Sequence, residues 1–359
     1  MLIRFRAVAA VAVAALLTVS ACSSSKEEES TAAGSAISAE RCAENKAAGK
    51  ITYLSGYQYQ ASASILEYVA AKKLGYFDDL CLDVTLQPGT GDTSQNTKLL
   101  ASGKVTFSPV SQQDVLSANA NGIKVEGISS YSNVGLEVLM TNPDVTDLKQ
   151  LDGTTLGQKG SMPVGVQAML VQAGADFKSI KQVVVGYDPT ILPRGQVKSL
   201  TGFISNEPNQ LKAAGKDVTV WRPYDYQVPG SLGAMAVNPD FAAKYPTAVE
   251  DFLRAGLHAF AYCEQNGAEC VKAAADLTGA GYDEKQNLTI WQTEVGVIRD
   301  SAKAGTPLGT IDTANVTSLV TMLNTYTGTT IADADATAEF DGKFVQAVYS
   351  GDTLTWPAP

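Results

Sequence analysis

From Lys73 to Val110 the chain reads K-L-G-Y-F-D-D-L-C-L-D-V-T-L-Q-P-G-T-G-D-T-S-Q-N-T-K-L-L-A-S-G-K-V-T-F-S-P-V. A helix is expected to end at Gly75, where glycine takes the left-handed cap without strain. Leu82–Leu86 follows as a strand, with β-branched Val84 and Thr85. Pro88–Ser94 is a glycine-rich turn. A helix over Gln95–Ser102 stops at Gly103, and Val105–Val110 is a second strand. Strand, helix and strand in this order make a βαβ unit, which implies an α/β fold with parallel sheets covered by helices. Ligands in such sheets sit beyond the carboxyl ends of the strands. Here that place carries free backbone N–H groups, the hydroxyls of Thr90 and Thr93, and a helix start.

Upstream, Ile51–Leu54 reads as a strand that empties into Ser55-Gly56-Tyr57-Gln58-Tyr59-Gln60. Tyr57, Tyr59 and Gln60 therefore fall at the ligand edge of the sheet. Each tyrosine is either a partly buried loop residue or part of a stacking wall for a flat ligand. Downstream, Ser111-Gln112-Gln113 starts a helix that ends at Gly122, and Val125–Ile128 is the next strand. Ser108, Ser111 and Gln112 are candidate ligand donors, with helix capping as the competing role. Residues 134–141 form a strand leaving this unit, and residues 232–238 form one returning to it.

Between them lies a second α/β unit of roughly 100 residues, long enough for a second lobe. Its strand 154–157 leads to Gln158–Pro163, which holds Ser161. Strand 200–204 runs into Ser205-Asn206-Glu207-Pro208, and strand 218–221 ends at Trp221 before Arg222-Pro223-Tyr224-Asp225-Tyr226. Asn206 and Glu207 are candidates to accept from the amino and ring N–H groups of a heterocycle. The competing role for Glu207 is an acid complementing the helix dipole. Trp221, Tyr224 and Tyr226 are candidates to face Tyr57 or Tyr59 across a cleft, with packing as the alternative for each. Helices over 283–303 and 312–326 are expected to brace the first lobe.

The chain opens with basic M-L-I-R-F-R, an apolar run Ala7–Val19 and Ser20-Ala21-Cys22, the pattern of a secretory signal peptide over residues 1–21. Val19-Ser20-Ala21-Cys22 resembles a bacterial lipobox, which makes Cys22 the expected lipidated first residue and the outer face of the membrane the expected location. Residues 22–48 are small, polar and charged, and are expected to form a lipid-anchored flexible tether. The formal charge is −10, and loss of Arg4 and Arg6 with the leader makes it two units more negative. An acidic surface argues against nucleic acid as a partner. Cys42, Cys81, Cys263 and Cys270 allow three disulfide pairings. Cys42–Cys81 with Cys263–Cys270 needs the fewest assumptions about contacts between lobes. On loop entropy these would contribute roughly 4 and 2.5 kcal/mol. The single histidine, His258, lies beside an apolar helical stripe and reads as structural. No Gly-x-Ser-x-Gly turn and no Walker sequence is present. The chain therefore reads as a non-enzyme, without metal or cofactor, and any ATPase it serves is another chain.

Two stretches carry a family resemblance. "LGYFDDLCLDVTLQPGTGD" followed by "LLASGKVTFSPVSQQDVLSANANGIKVEGIS" resembles the solute-binding proteins of ABC importers, in the branch that binds nitrate, sulfonates, taurine, the thiamine pyrimidine precursor or riboflavin. "LTGFISNEPNQLKAAGKDVTVWRPYDYQVPGS" is similar to the part of thiamine-precursor and riboflavin binders that supplies the ligand carboxylate and aromatic groups. Relatives often carry an acidic residue ahead of that strand, where Lys198-Ser199 stands here. The resemblance spans residues 51–261. It implies a two-lobed type II periplasmic-binding-protein fold in which 134–141 and 232–238 are hinge strands. Lobe 1 is then 49–136 with 236–345, lobe 2 is 137–235, and 346–359 is a tail. It further implies a monomer that closes on a small ligand and is read by a membrane permease. Three readings follow: a nitrogen heterocycle held by Glu207 and the aromatic group; an oxyanion held by Thr90, Thr93, Ser108 and Ser161 with Arg194 or Arg222; or an exported pyrimidine-synthesis enzyme, whose Cys- and His-rich segment this chain lacks.

Overall fold

The computed structural model describes residues 36–359. The leader, Cys22 and residues 23–35 of the expected tether lie outside the described residues. Residues 39–47 depart from the tether expectation: they form helix α1 (Ala39–Ala47), whose N-cap Ser38 accepts from the Arg41 N–H at 3.2 Å. Composition hid this helix because polar side chains, not an apolar stripe, hold it down. The Arg41 guanidinium grips Asp251 through Nε and Nη2, both at 2.8 Å, and Asn45 Nδ2 donates to Leu80 O and to Asp251. Cys42 is bonded to Cys81.

The chain continues through β1 (Lys50–Leu54), the short β2 (Tyr57–Gln58), α2 (Leu66–Lys73), α3 (Tyr76–Asp79), β3 (Asp83–Gln87), the short β4 (Gly89–Thr90), α4 (Thr93–Ala101), β5 (Phe107–Pro109), α5 (Gln112–Ala120) and β6 (Glu126–Ser129). Gly75 has the expected left-handed conformation (φ 82°) just past α2. The second lobe holds β7 (Glu137–Thr141), β8 (Thr155–Gln158), α6 (Val164–Gln172), β9 (Lys181–Val184), β10 (Ser199–Phe203), α7 (Glu207–Ala213) and β11 (Thr219–Trp221). The chain returns through β12 (Met235–Val237) and ends in α8 (Pro239–Lys244), α9 (Pro246–Gln265), α10 (Gly267–Thr278), α11 (Glu284–Ser301), α12 (Thr313–Tyr326), α13 (Asp333–Ala338), α14 (Lys343–Ala347) and the hairpin β13 (Tyr349–Ser350) and β14 (Thr353–Leu354).

The two five-stranded sheets share one topology. The first has order β3-β1-β5-β12-β6 and the second, read from its other edge, β9-β8-β10-β7-β11. In each, one strand runs against its neighbours: β12 is antiparallel to β5 and β6, and β7 to β10 and β11. These are the two strands that carry the chain between lobes. Their lead-in segments meet at Gly135 and Gly230, where Gly230 N donates to Asn133 O at 3.0 Å. A Cβ on Gly230 would lie 2.4 Å from Gly135 N, so only glycine allows the two backbones to approach this closely.

The first core is built on stacked rings. Phe107 lies 3.8 Å from Phe252 at 3°, and Tyr68 lies 4.8 Å from Phe252 at 20°. The second sheet buries Leu139, Leu156 and Met169 on one face, and Met140, Leu200 and Leu211 on the other. Helix α12 departs from its expected role. Val316, Leu319 and Leu323 pack into the second lobe's core, while Asn315 Nδ2 donates to Gln112 Oε1 of α5 and to Gly230 O. It therefore seats on both lobes and on the crossover. Cys263 is bonded to Cys270, the expected pairing, at the junction of α9 and α10. Among the described residues no helix is long and apolar enough to cross a membrane.

Candidate functional site

The strand ends of the first lobe form a tight platform. β2 and β4 pair Tyr57 with Thr90. Ser55 Oγ accepts from Gly89 N at 2.9 Å, and a Cβ on Gly89 would lie 1.9 Å from Ser55 O, which explains the glycine in that turn. The Tyr57 side chain stays out of the core and is 45% exposed, and Thr90 is exposed beside it. Tyr59 is half-buried at the rim of the first core, where burial raises its phenol pKa, and its carbonyl accepts from Tyr282 Oη at 3.1 Å. Gln60 is half-buried. The hydroxyls of this edge are less free than the sequence indicates. Ser108 is fully buried, donating to Leu54 O at 2.8 Å and accepting from Asn96 Nδ2 at 3.0 Å. Ser111 forms a capping box with Asp114. Both serve the sheet and the helix start.

The second lobe's edge is organised by Glu207. Its carboxylate is buried at the end of β10, where Oε2 accepts from Phe203 N at 2.8 Å and Oε1 accepts from Asn206 Nδ2 at 3.1 Å. Lys159, in the turn after β8, forms an ion pair with the same Oε1. Lys159 Nζ also lies 5.6 Å from the centre of the Tyr187 ring. Glu207 is thus an acceptor already engaged by an ammonium. Ser161, two residues beyond Lys159, is exposed. Lys159, Tyr187 and Phe203 carry no motif that marks them as site residues. Phe203 has one weaker signal: it is the terminal residue of a strand whose other members are buried, and it is 49% exposed.

The expected aromatic set divides. Trp221 Nε1 donates to Thr141 Oγ1 at 2.9 Å, and Trp221 pairs in register with Leu139, two residues nearer the crossover than Thr141. Its indole N–H therefore reaches back along β7, away from the strand ends. Tyr226 packs on the same cluster. Tyr224 is 52% exposed, with the Arg222 guanidinium 6.0 Å from its ring. The large exposed rings at the strand ends are therefore Tyr57, Tyr187, Phe203 and Tyr224.

Segments of the two lobes touch beside the strand ends, where Ser205 Oγ donates to Glu294 Oε1 at 2.8 Å. A cavity at the crossover, lined by Glu137, Arg222 and Tyr224 among others, has a volume of about 10 Å³, room for no more than one water. A larger concavity of about 270 Å³ lies between α2 and α10, on a different face from the strand ends. His258 is stacked on Trp356 at 4.1 Å and tilted against Tyr76 at 4.7 Å, and burial lowers its pKa, as a structural histidine requires.

The chain is 27% identical over 212 residues to the formylaminopyrimidine-binding protein of Halalkalibacterium halodurans, an alignment covering 57% of this chain and 63% of that protein. The fold is shared with a putative periplasmic sulfonate-binding protein of Methylobacillus flagellatus (TM-score 0.61, 16% identity, 83% of this chain and 92% of that one). It is shared equally with the periplasmic aliphatic sulphonate-binding protein of Escherichia coli (TM-score 0.60, 12% identity, 86% and 96%). A family model described as NMT1/THI5 like matches residues 62–269, more than half of the chain, which therefore belongs to the NMT1/THI5-like family.

Proposed function

We propose that this protein is the extracytoplasmic solute-binding component of an ABC importer and that it closes its two lobes on a small, flat nitrogen heterocycle of the aminopyrimidine class. The observation that carries this reading is the buried Glu207 carboxylate at the second lobe's strand ends, beside the exposed ring of Phe203. Tyr57 would offer a ring from the opposite lobe. A carboxylate that can accept from both an exocyclic amino group and a ring N–H selects for a ligand that has both, because one lacking them leaves buried groups unpaired. Lys159 would then turn from Glu207 to a carbonyl or formyl oxygen of the ligand. Thr90, Ser161 and Asn206 are the polar groups able to complete the set. Ser108, Ser111 and Trp221 act by holding the scaffold. The named specificity of the H. halodurans relative supports the same class.

An oxyanion is the second reading, favoured by the Lys159 ammonium at the same place and by Arg222, which makes no ion pair among the described residues. A thermal-shift screen separates the two, using formylaminopyrimidine, hydroxymethylpyrimidine, thiamine, riboflavin, nitrate, taurine and alkanesulfonates. At a hundred times its dissociation constant a ligand stabilises the fold by about 2.7 kcal/mol. The expected result is a shift with formylaminopyrimidine that disappears in Glu207→Ala. A shift only with an oxyanion, retained in Glu207→Ala, would overturn the heterocycle reading.

In the same proposal the protein works as a monomer held by lipid on Cys22 at the outer face of the membrane, where it meets a permease. Mass spectrometry of the mature N terminus is expected to show an acylated Cys22 as first residue. An unmodified chain starting elsewhere would remove the anchor.

A further inference from the structure

One face of α11 holds ligand-edge segments of both lobes. From the first lobe, Ala61 N donates to Asn287 Oδ1 at 2.9 Å, while Ser62 Oγ and Ala63 N donate to Glu294 Oε2 at 2.7 and 2.8 Å. From the second lobe, Ser205 Oγ donates to Glu294 Oε1 at 2.8 Å, Asn209 Nδ2 to Thr293 Oγ1 at 3.1 Å, and Gln286 Nε2 to Asn206 Oδ1 at 3.3 Å. Residues 286 and 287 stand seven before 293 and 294, so the four side chains repeat on one stripe two turns apart. Glu294 is 1% exposed, and its two oxygens are divided between the lobes. The segment it holds in the first lobe follows Tyr57–Gln60, and the one it holds in the second immediately precedes Glu207.

We propose that Glu294 is a positioning residue of the binding cleft, and that α11 is a strut which fixes the spacing of the two ligand-edge segments without any ligand. The proposal rests on the cleft reading above only for its bearing on affinity; the strut itself is a property of the empty protein. The chemistry of the two sides differs. The Ala63 N–H can only donate, so Oε2 must remain an acceptor. The Ser205 hydroxyl can rotate and accept instead. Glu294→Gln, with its amide oxygen toward Ala63 and its NH2 toward Ser205, retains both links. Glu294→Ala and Ser205→Ala each remove the Glu294 bridge, leaving only the longer Asn209–Thr293 and Gln286–Asn206 contacts between the second lobe and α11.

The test measures the distance between spin labels at Lys98→Cys on α4 and Lys212→Cys on α7, both exposed positions in opposite lobes, in ligand-free protein by pulsed dipolar spectroscopy. Wild type and Glu294→Gln are expected to give the same short, narrow distribution. Glu294→Ala and Ser205→Ala are expected to lengthen and broaden it. Affinity for formylaminopyrimidine should fall roughly tenfold in Ser205→Ala, because the competent closed state is less populated. Should Glu294→Ala fail to fold, Ser205→Ala, which touches the strut from outside the first core, carries the test. An unchanged distribution in a folded Ser205→Ala overturns Glu294 as the contact that holds the spacing. Failure of formylaminopyrimidine to bind wild type overturns the heterocycle reading and leaves the distance result standing.

Discussion

Asp251→Ala is expected to cost the fold about 3–5 kcal/mol, the penalty for leaving a buried cation without its partner. Asp251 is fully buried on α9, and its two oxygens serve three side chains. Arg41 bonds both of them from α1, Asn45 Nδ2 donates at 2.6 Å, and Arg254 Nε donates at 3.0 Å. Arg254 is itself 1% exposed and donates onward to Thr355 O at 2.8 Å. Removing the carboxylate leaves Arg254 charged in the core, while Arg41 retains only Glu250 at 3.0 Å. The same carboxylate joins α1, α9 and the C-terminal hairpin, so the loss should appear as a lower denaturation midpoint and as proteolysis of the N-terminal helix. Urea unfolding of Asp251→Ala and Asp251→Asn checks it. A loss below about 1 kcal/mol in both, the scale of an exposed pair, would show that the network contributes little.

The second large effect is on pH dependence. Glu67 is fully buried, and its Oε1 accepts from Tyr131 Oη at 2.8 Å and Ser64 N at 2.7 Å, while Oε2 has no hydrogen-bond partner among the described residues. Desolvation pushes its pKa to about 8, outweighing those hydrogen bonds. Desolvation likewise pushes Glu294 to about 7 against its three donors. An unfolded glutamic acid titrates near 4.3. The folded state therefore holds these protons more tightly than the unfolded state. Their stabilisation is fully present below the unfolded pKa and is lost as pH rises through 7 and 8. Each tenfold difference in proton affinity between the two states is worth about 1.4 kcal/mol, so the combined loss between pH 5 and pH 9 is on the order of several kcal/mol. Asp312, whose pKa is lowered chiefly by Lys303, acts in the opposite sense below about pH 4. Stability should thus peak on the acid side of neutrality. Denaturant unfolding from pH 4 to 9 is expected to show the decline, and Glu67→Gln, which keeps an acceptor for Tyr131 and Ser64, is expected to flatten it. A profile that rises from pH 5 to 9 would contradict both pKa values.

Much of the fold is legible in the sequence because its signals are local. Gly75, the Pro88–Ser94 turn and Gly103 punctuate one βαβ unit, and the strands and helices between them stand within a few residues of their expected bounds. The paired sheet topology is not legible, since the lobes share strand order without sharing residues. Helix α1 escapes a sequence reading because its attachment to Asp251 spans more than 200 positions and no local pattern encodes it. At the candidate site, Glu207 can be found from its place between a strand and a helix. Its partner Lys159 cannot, being 48 positions away in a turn with no periodic mark. Ser108 and Trp221 show the converse. Their polar groups satisfy neighbouring strands, and that depends on register, which a single sequence does not display.

The placement of β12 between β5 and β6 constrains how this protein is assembled in time. During synthesis β6 emerges more than 100 residues before its neighbour, and all five strands of the second sheet are made in the interval. The first sheet closes only when residue 237 arrives from the far side of that lobe. A product halted before β12 would carry β6 with unsatisfied edges and a half-formed core, the kind of edge that invites pairing with other chains. Long-range closure of this sort slows folding relative to local pairing. The first sheet is thus the earlier one to be started and the later one to be closed, while the second lobe's core in turn waits for α12.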